Sequence, residues 1–89
     1  MRIYYSNKFL KQLTKAPIEV RSAFRSRLEI FLSNSKHPLL RNHELIGQYV
    51  GYRSINVTGD WRAIFQELNE ISFDGIYFFR LGTHSQLYR

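Results

Sequence analysis

Arg80, His84 and Tyr88 recur at intervals of four in YFFRLGTHSQLYR, residues 77–89. An apolar run thus ends in a cation, an imidazole and a phenol. An imidazole, with an ordinary pKa of about 6.5, gives or takes a proton near neutrality. A phenol, with a pKa of about 10, is a poor base at that pH but a usable hydrogen-bond donor. A guanidinium grips a phosphate through two N–H groups, and Arg62 supplies a second one. This set suits the cleavage of RNA. That reaction must remove a 2′-OH proton, protonate the leaving 5′-oxygen and offset extra charge on phosphorus. The nucleophile comes from the substrate, so the chemistry calls for no metal and no cofactor.

Other groups bear on the same chemistry. His43, in RNHEL, is a second imidazole, and Asp60 and Trp61, in TGDW, stand at an expected turn. Asp60 there has the bland reading of a turn residue. Trp61 either caps the core or offers a face on which a base can stack. His37, before Pro38, reads as loop and is given no role. A metal site from His43, His84 and Asp60 lacks support, because neither H-x-x-x-H nor H-E-x-x-H spacing occurs.

The elements that must position these groups follow from periodicity. RIYYS, residues 2–6, is an aromatic and β-branched run and predicts a strand. Ser6 or Asn7 then caps a helix that aligns Phe9, Leu10 and Leu13. Pro17 opens a second helix, where its missing N–H costs nothing. Along that helix Val20, Phe24, Leu28 and Phe31 form an apolar stripe. The period changes from 3.6 to 2 after Pro38. YRSINVTG, WRAIFQEL and IYFFRLG alternate as strands, with turns at TGD and at NE or SFDG. Short connections between them imply an antiparallel meander.

The sum is an α+β domain ordered β-α-α-β-β-β, with two N-terminal helices packed on one face of a small twisted antiparallel sheet. Strict alternation gives the helices Ile55, Val57, Ala63, Phe65, Tyr77 and Phe79. It sends Ser54, Asn56, Arg62 and Arg80 to the opposite face, with Ile64 and Phe78. A mid-strand arginine is costly to bury alone. Each is therefore exposed, paired with Asp60 or Glu67, or waiting for an anion, and two on one face favour the anion site.

Composition narrows the class. Eighty-nine residues suit a single domain spanning 1–89. Seven Phe and six Tyr can build a core, and the absence of cysteine excludes a disulfide scaffold or thiolate zinc finger. No apolar run reaches the roughly twenty residues of a membrane span, and MRIYYSNKF does not read as a secretion signal. The expectation is a soluble cytoplasmic protein. The net charge is +6, and its bulk lies in residues 1–35, whose Lys and Arg outnumber their acids by seven to two. Such a surface favours a nucleic acid or an acidic protein partner.

The runs LIGQYVGYRSINVTGDWRAIFQ and YFFRLGTHSQLY resemble the RelE superfamily of toxin–antitoxin toxins, especially its YafQ-like branch. Those proteins share a leucine-x-glycine segment, a G-Y/F-R, a D-W or D-Y turn and a terminal R-x-G-T-H-x-x-L-F/Y. The likeness is close over residues 38–88 and one of pattern alone in the helical half.

The resemblance implies a toxin that cleaves mRNA in the ribosomal A site and is held inactive by a small antitoxin with an acidic or amphipathic segment. It gives His84 a proton-transfer role, with His43 and Asp60 beside it. Arg80 and Arg62 would hold the phosphate, and Tyr88 matches a terminal aromatic. Trp61, Asn56 and Arg53 would bind substrate, and Lys8 and Lys11 belong to a basic surface able to dock on ribosomal RNA. One position departs from the branch. Asn56 stands where YafQ-like toxins carry another histidine, and an amide accepts no proton at neutral pH. Two rival readings share the fold: a ParE-like gyrase inhibitor, and a nucleic-acid-binding module without catalysis.

Overall fold

A computed structural model describes residues 1–70 and 73–88. The chain runs β1 (Arg2–Tyr5), α1 (Asn7–Lys15), α2 (Ile18–Ser33), β2 (His43–Glu44), β3 (Arg53–Thr58), β4 (Trp61–Glu70), β5 (Phe73–Thr83) and α3 (His84–Leu87). Two 3-10 turns, Pro38–Leu40 and Gly47–Tyr49, flank β2. The sheet order is β1-β5-β4-β3-β2. β3, β4 and β5 form the expected antiparallel meander, while β1 joins β5 in parallel, so the sheet is mixed. The turn expected at NE or SFDG involves residues 71–72, which lie outside those described.

Ser6 caps α1 by accepting the Phe9 N–H at 2.9 Å, as its residue type favours. Pro17 occupies the cap position of α2 rather than its first turn. The α2 stripe lies against the sheet: Val20, Phe24 and Phe31 are buried and Leu28 half-buried. With Phe9 from α1 they cover Ile55, Val57, Ala63, Phe65, Ile76, Phe78 and Leu81. Phe78 is the hub, with ring centroids 5.2 Å from Phe24 and 5.4 Å from Phe9. Burying such a side chain contributes roughly 1.5–3 kcal/mol.

The face assignment of β5 needs correction. Ile64 pairs with Arg80 but its neighbour Phe65 pairs with Phe78, so Phe79 is an extra residue, a β-bulge. Before the bulge the alternation is inverted: Ile76 and Phe78 meet the helices, while Phe79 joins the opposite face. After it Leu81 faces the helices and Arg80 the other side, as strict alternation predicts. The bulged carbonyl keeps two donors, the Ser6 hydroxyl at 2.7 Å and the Arg80 guanidinium at 2.8 Å. β1 ends opposite Phe78, and beyond it Gln12 of α1 accepts the Leu81 N–H at 2.8 Å. The side chains of Ser6 and Gln12 thus make bonds that a longer β1 would have made.

The second face of the sheet is not bare. Ile64 sits there beneath Leu45 and Leu87, with Tyr49, Tyr52, Phe79 and Tyr88 packed around them.

Candidate functional site

The register lines up candidate residues on that second face. One cross-strand row runs His43, Ser54, Ile64, Arg80, and the next runs Asn56, Arg62, Gly82. Neighbouring strands lie about 4.8 Å apart, so three strand steps separate His43 from Arg80, roughly 14 Å between backbones.

Both arginines are half-buried and anchored to the backbone. Arg80 lies over the Phe79 ring, 3.8 Å from its centroid, a cation–π contact. Arg62 donates to the Gly59 carbonyl at 2.9 Å and to the Trp61 carbonyl at 3.2 Å. Among the described residues neither meets a carboxylate; the only side-chain ion pairs join Arg53 to Glu44 and Glu67. Of the three fates open to these cations, pairing with Asp60 or Glu67 is therefore not the one adopted. Two guanidiniums held in place without counter-ions favour an anion.

The tail folds over this face, as α3. Thr83 and Gln86 form a capping box: Thr83 Oγ1 accepts the Gln86 N–H at 3.3 Å and Gln86 Oε1 accepts the Thr83 N–H at 2.9 Å. Gly82 serves close approach here, since a Cβ at that position would lie 3.1 Å from Gln86 Oε1 and 3.4 Å from Leu87 Cδ2. The His84 N–H donates to the Asp60 carbonyl at 3.1 Å, joining the tail to the β3–β4 turn. At the other end the Leu87 carbonyl accepts from Tyr49 Oη at 2.6 Å and from Gln48 Nε2 at 3.1 Å. Tyr49 also meets the Tyr88 ring edge-on at 5.4 Å. Nothing in the sequence pattern singled out Tyr49 or Gln48, whereas the T-x-x-Q spacing of the capping box was a legible helix start.

His84 is exposed, with its ring 4.7 Å from that of Tyr88. No described side chain hydrogen-bonds its ring nitrogens, so they are open to substrate. Burial raises the Tyr88 pKa above the ordinary phenol value, the nearby Tyr49 adds to the rise, and Arg62 partly offsets it. Tyr88 is thus a proton-bearing donor at neutral pH, not a base. His43 is exposed and its Nδ1 lies 2.8 Å from the Arg41 carbonyl. A carbonyl only accepts, so this bond is made by the tautomer with its proton on Nδ1, which leaves Nε2 without a proton in the neutral ring. Ser54, between His43 and Ile64, is 1% exposed and its hydroxyl has no partner among the described residues.

Other candidates stand elsewhere. Trp61 packs against the helix-side core, on the opposite face from Arg62. Arg53 is removed from the cation set, because Asn42 holds it at 2.7 Å and Glu44 and Glu67 neutralise it at 3.4 and 3.9 Å. A groove of about 330 Å³ beside it is walled by those two glutamates and repels phosphate. Lys8 and Lys11 are exposed on α1, the helix side of the sheet. Among the described residues no three His, Cys, Asp or Glu side chains converge as metal ligands would.

A fold with α1 and α2 on one face of the sheet and this cation–imidazole–phenol set on the other is shared with toxins of type II toxin–antitoxin modules, the class that the family match gives. The chain belongs to the YafQ family, described as a bacterial toxin of type II toxin–antitoxin systems, which matches residues 1–89. A Haemophilus influenzae protein bearing the YafQ toxin name is 29% identical over 97% of this chain and 90% of its own. The crystal structure of YafQ from an Escherichia coli strain has a TM-score of 0.76 at 27% identity, covering 100% of both chains. An E. coli DinJ–YafQ toxin–antitoxin complex matches with a TM-score of 0.72 at 28% identity, over 98% of this chain and 96% of that one. More distant RelE-type chains share the fold.

Proposed function

We propose that the protein is a ribosome-dependent endoribonuclease that cleaves mRNA without a metal. The observation that carries this reading is a pair of anchored guanidiniums, without counter-ions among the described residues, together with an exposed imidazole whose ring lies 4.7 Å from a phenol. The substrate 2′-oxygen attacks the adjacent phosphorus and loses its proton to a base. The P–O5′ bond breaks and the 5′-oxygen takes a proton from an acid, giving a cyclic phosphate and a 5′-hydroxyl. Arg80 and Arg62 offset the charge that grows on the phosphorane oxygens. His84 is the principal proton-transfer group, and Tyr88 donates a hydrogen bond. His43, with its Nδ1 held by the Arg41 carbonyl and in the same row as Arg80, is assigned the complementary proton transfer. Asn56 lies opposite Arg62 and orients rather than accepts.

The restraint follows from the same chemistry. An antitoxin with an acidic or amphipathic segment would bind the basic chain; the E. coli relative YafQ is found in a complex with the antitoxin DinJ. The test is induction in cells followed by mapping of 5′ ends on one message. Cuts in register with codons, abolished by His84→Ala, are expected. Intact message with altered plasmid supercoiling would instead favour gyrase inhibition.

A further inference from the structure

On the helix side of the sheet, a groove of about 320 Å³ opens between the end of α1 and α3, lined by Gln12, Lys15, Ala16, Trp61, Leu81 and Gln86. We infer that this groove holds one nucleotide of single-stranded RNA beside the scissile phosphate, its base against Trp61 and its phosphate at Lys15. The inference rests on the endoribonuclease reading and extends it to a substrate subsite.

The lining offers what a nucleotide needs: an aromatic face, a cation and amide donors. Trp61 is half-buried, one side packed on the core and the remainder accessible, and an indole face stacks with any base. Lys15, in the last turn of α1, is exposed and has no carboxylate partner among the described residues. Gln12 and Gln86 spend their oxygens on the Leu81 and Thr83 N–H groups, at 2.8 and 2.9 Å. Both amide NH₂ groups are left as donors, suited to base carbonyls and phosphate oxygens. No lining residue is acidic, in contrast to the groove at Arg53, walled by Glu44 and Glu67.

Continuity with the cleavage face comes from the turn. Asp60 immediately precedes Trp61, its carbonyl receives the His84 N–H, and Arg62 follows on the opposite face. An RNA strand passing over Arg62 and His84 therefore rounds the sheet end at Asp60–Trp61 and reaches the groove with its next nucleotide.

Trp61 is the only tryptophan, so its emission reports the groove directly. The probe is a short single-stranded RNA methylated at its 2′-oxygens, which binds without being cut. Saturable quenching is expected. Lys15→Glu should weaken it about tenfold and reduce the salt slope of binding by about 0.7, the share of one phosphate contact on a single strand. Lys36→Glu, an equal charge change in the loop after α2, should leave the quenching unaltered, with circular dichroism confirming both folds. Three results would overturn the inference: no quenching, equal weakening by both variants, or equal quenching by a glutamate-rich peptide or inorganic phosphate. Cleavage of ribosome-bound message is scored separately. A chain that cuts without quenching has the cleavage site and not the groove; one that quenches without cutting refutes the nuclease reading instead.

Discussion

The two faces of the sheet are built by different rules. The helix face is a closed aromatic cluster, in which Phe9, Phe24, Phe31, Phe65 and Phe78 meet at centroid separations of 5.1 to 6.3 Å. The other face carries a small apolar patch around Ile64, and beside it two cations without counter-ions and a buried hydroxyl without a partner among the described residues. An unsatisfied buried group costs stability; the helix side has one too among the described residues, Arg27 Nε on α2, so the contrast between the faces lies in the unpaired cations. The first face therefore holds the fold, and the second carries the groups to which the proposed cleavage is assigned.

Substitutions can break or sharpen this division. Phe78→Ala should cost about 3–5 kcal/mol in chemical denaturation, because it empties the hub of the aromatic cluster. A loss no larger than that from Phe79→Ala, one residue along on the other face, would dissolve the contrast. His84→Ala should leave denaturation within about 0.5 kcal/mol while slowing cleavage of ribosome-bound message on the order of a hundredfold or more. A His84 variant that cuts at the parental rate would remove the histidine from the mechanism.

Smaller effects probe the seam between the faces. Tyr49→Phe deletes one of two donors to the Leu87 carbonyl and should destabilise by about 1 kcal/mol. Cleavage should fall with it, because α3 carries His84. Ser54→Ala should be neutral or slightly stabilising, since it removes a hydroxyl that has no partner among the described residues; a clear loss would show the hydroxyl to be satisfied. The Tyr88 phenol binds its proton more tightly in the folded chain, so its contribution to stability is complete below the ordinary phenol pKa. That contribution is lost only as pH rises through the raised value. Arg62→Gln removes the offsetting charge and should raise the Tyr88 titration further, as followed by phenolate absorbance.

Much of this was legible in residue order. The α2 stripe, the Ser6 cap and the meander follow from local periodicity and cap chemistry, and Val20, Phe24 and Phe31 are buried as spaced. β5 was misread because strict alternation has no term for an inserted residue, so one bulge at Phe79 exchanges the faces of Ile76 and Phe78. β2 was missed because two residues carry no periodic signal; His43 and Glu44 become a strand only because β3 offers an edge.

The chemistry-bearing residues were set by the sequence itself: side-chain type decides which groups bind phosphate or move a proton, and no fold alters that. Tertiary structure alone decided which of them meet. Arg53 is a cation in composition but is neutralised by Glu44 and Glu67, and Trp61 turns from the cleavage face to a groove beside Lys15. Ion pairing and strand register join residues distant along the chain, and local spacing holds no record of such contacts.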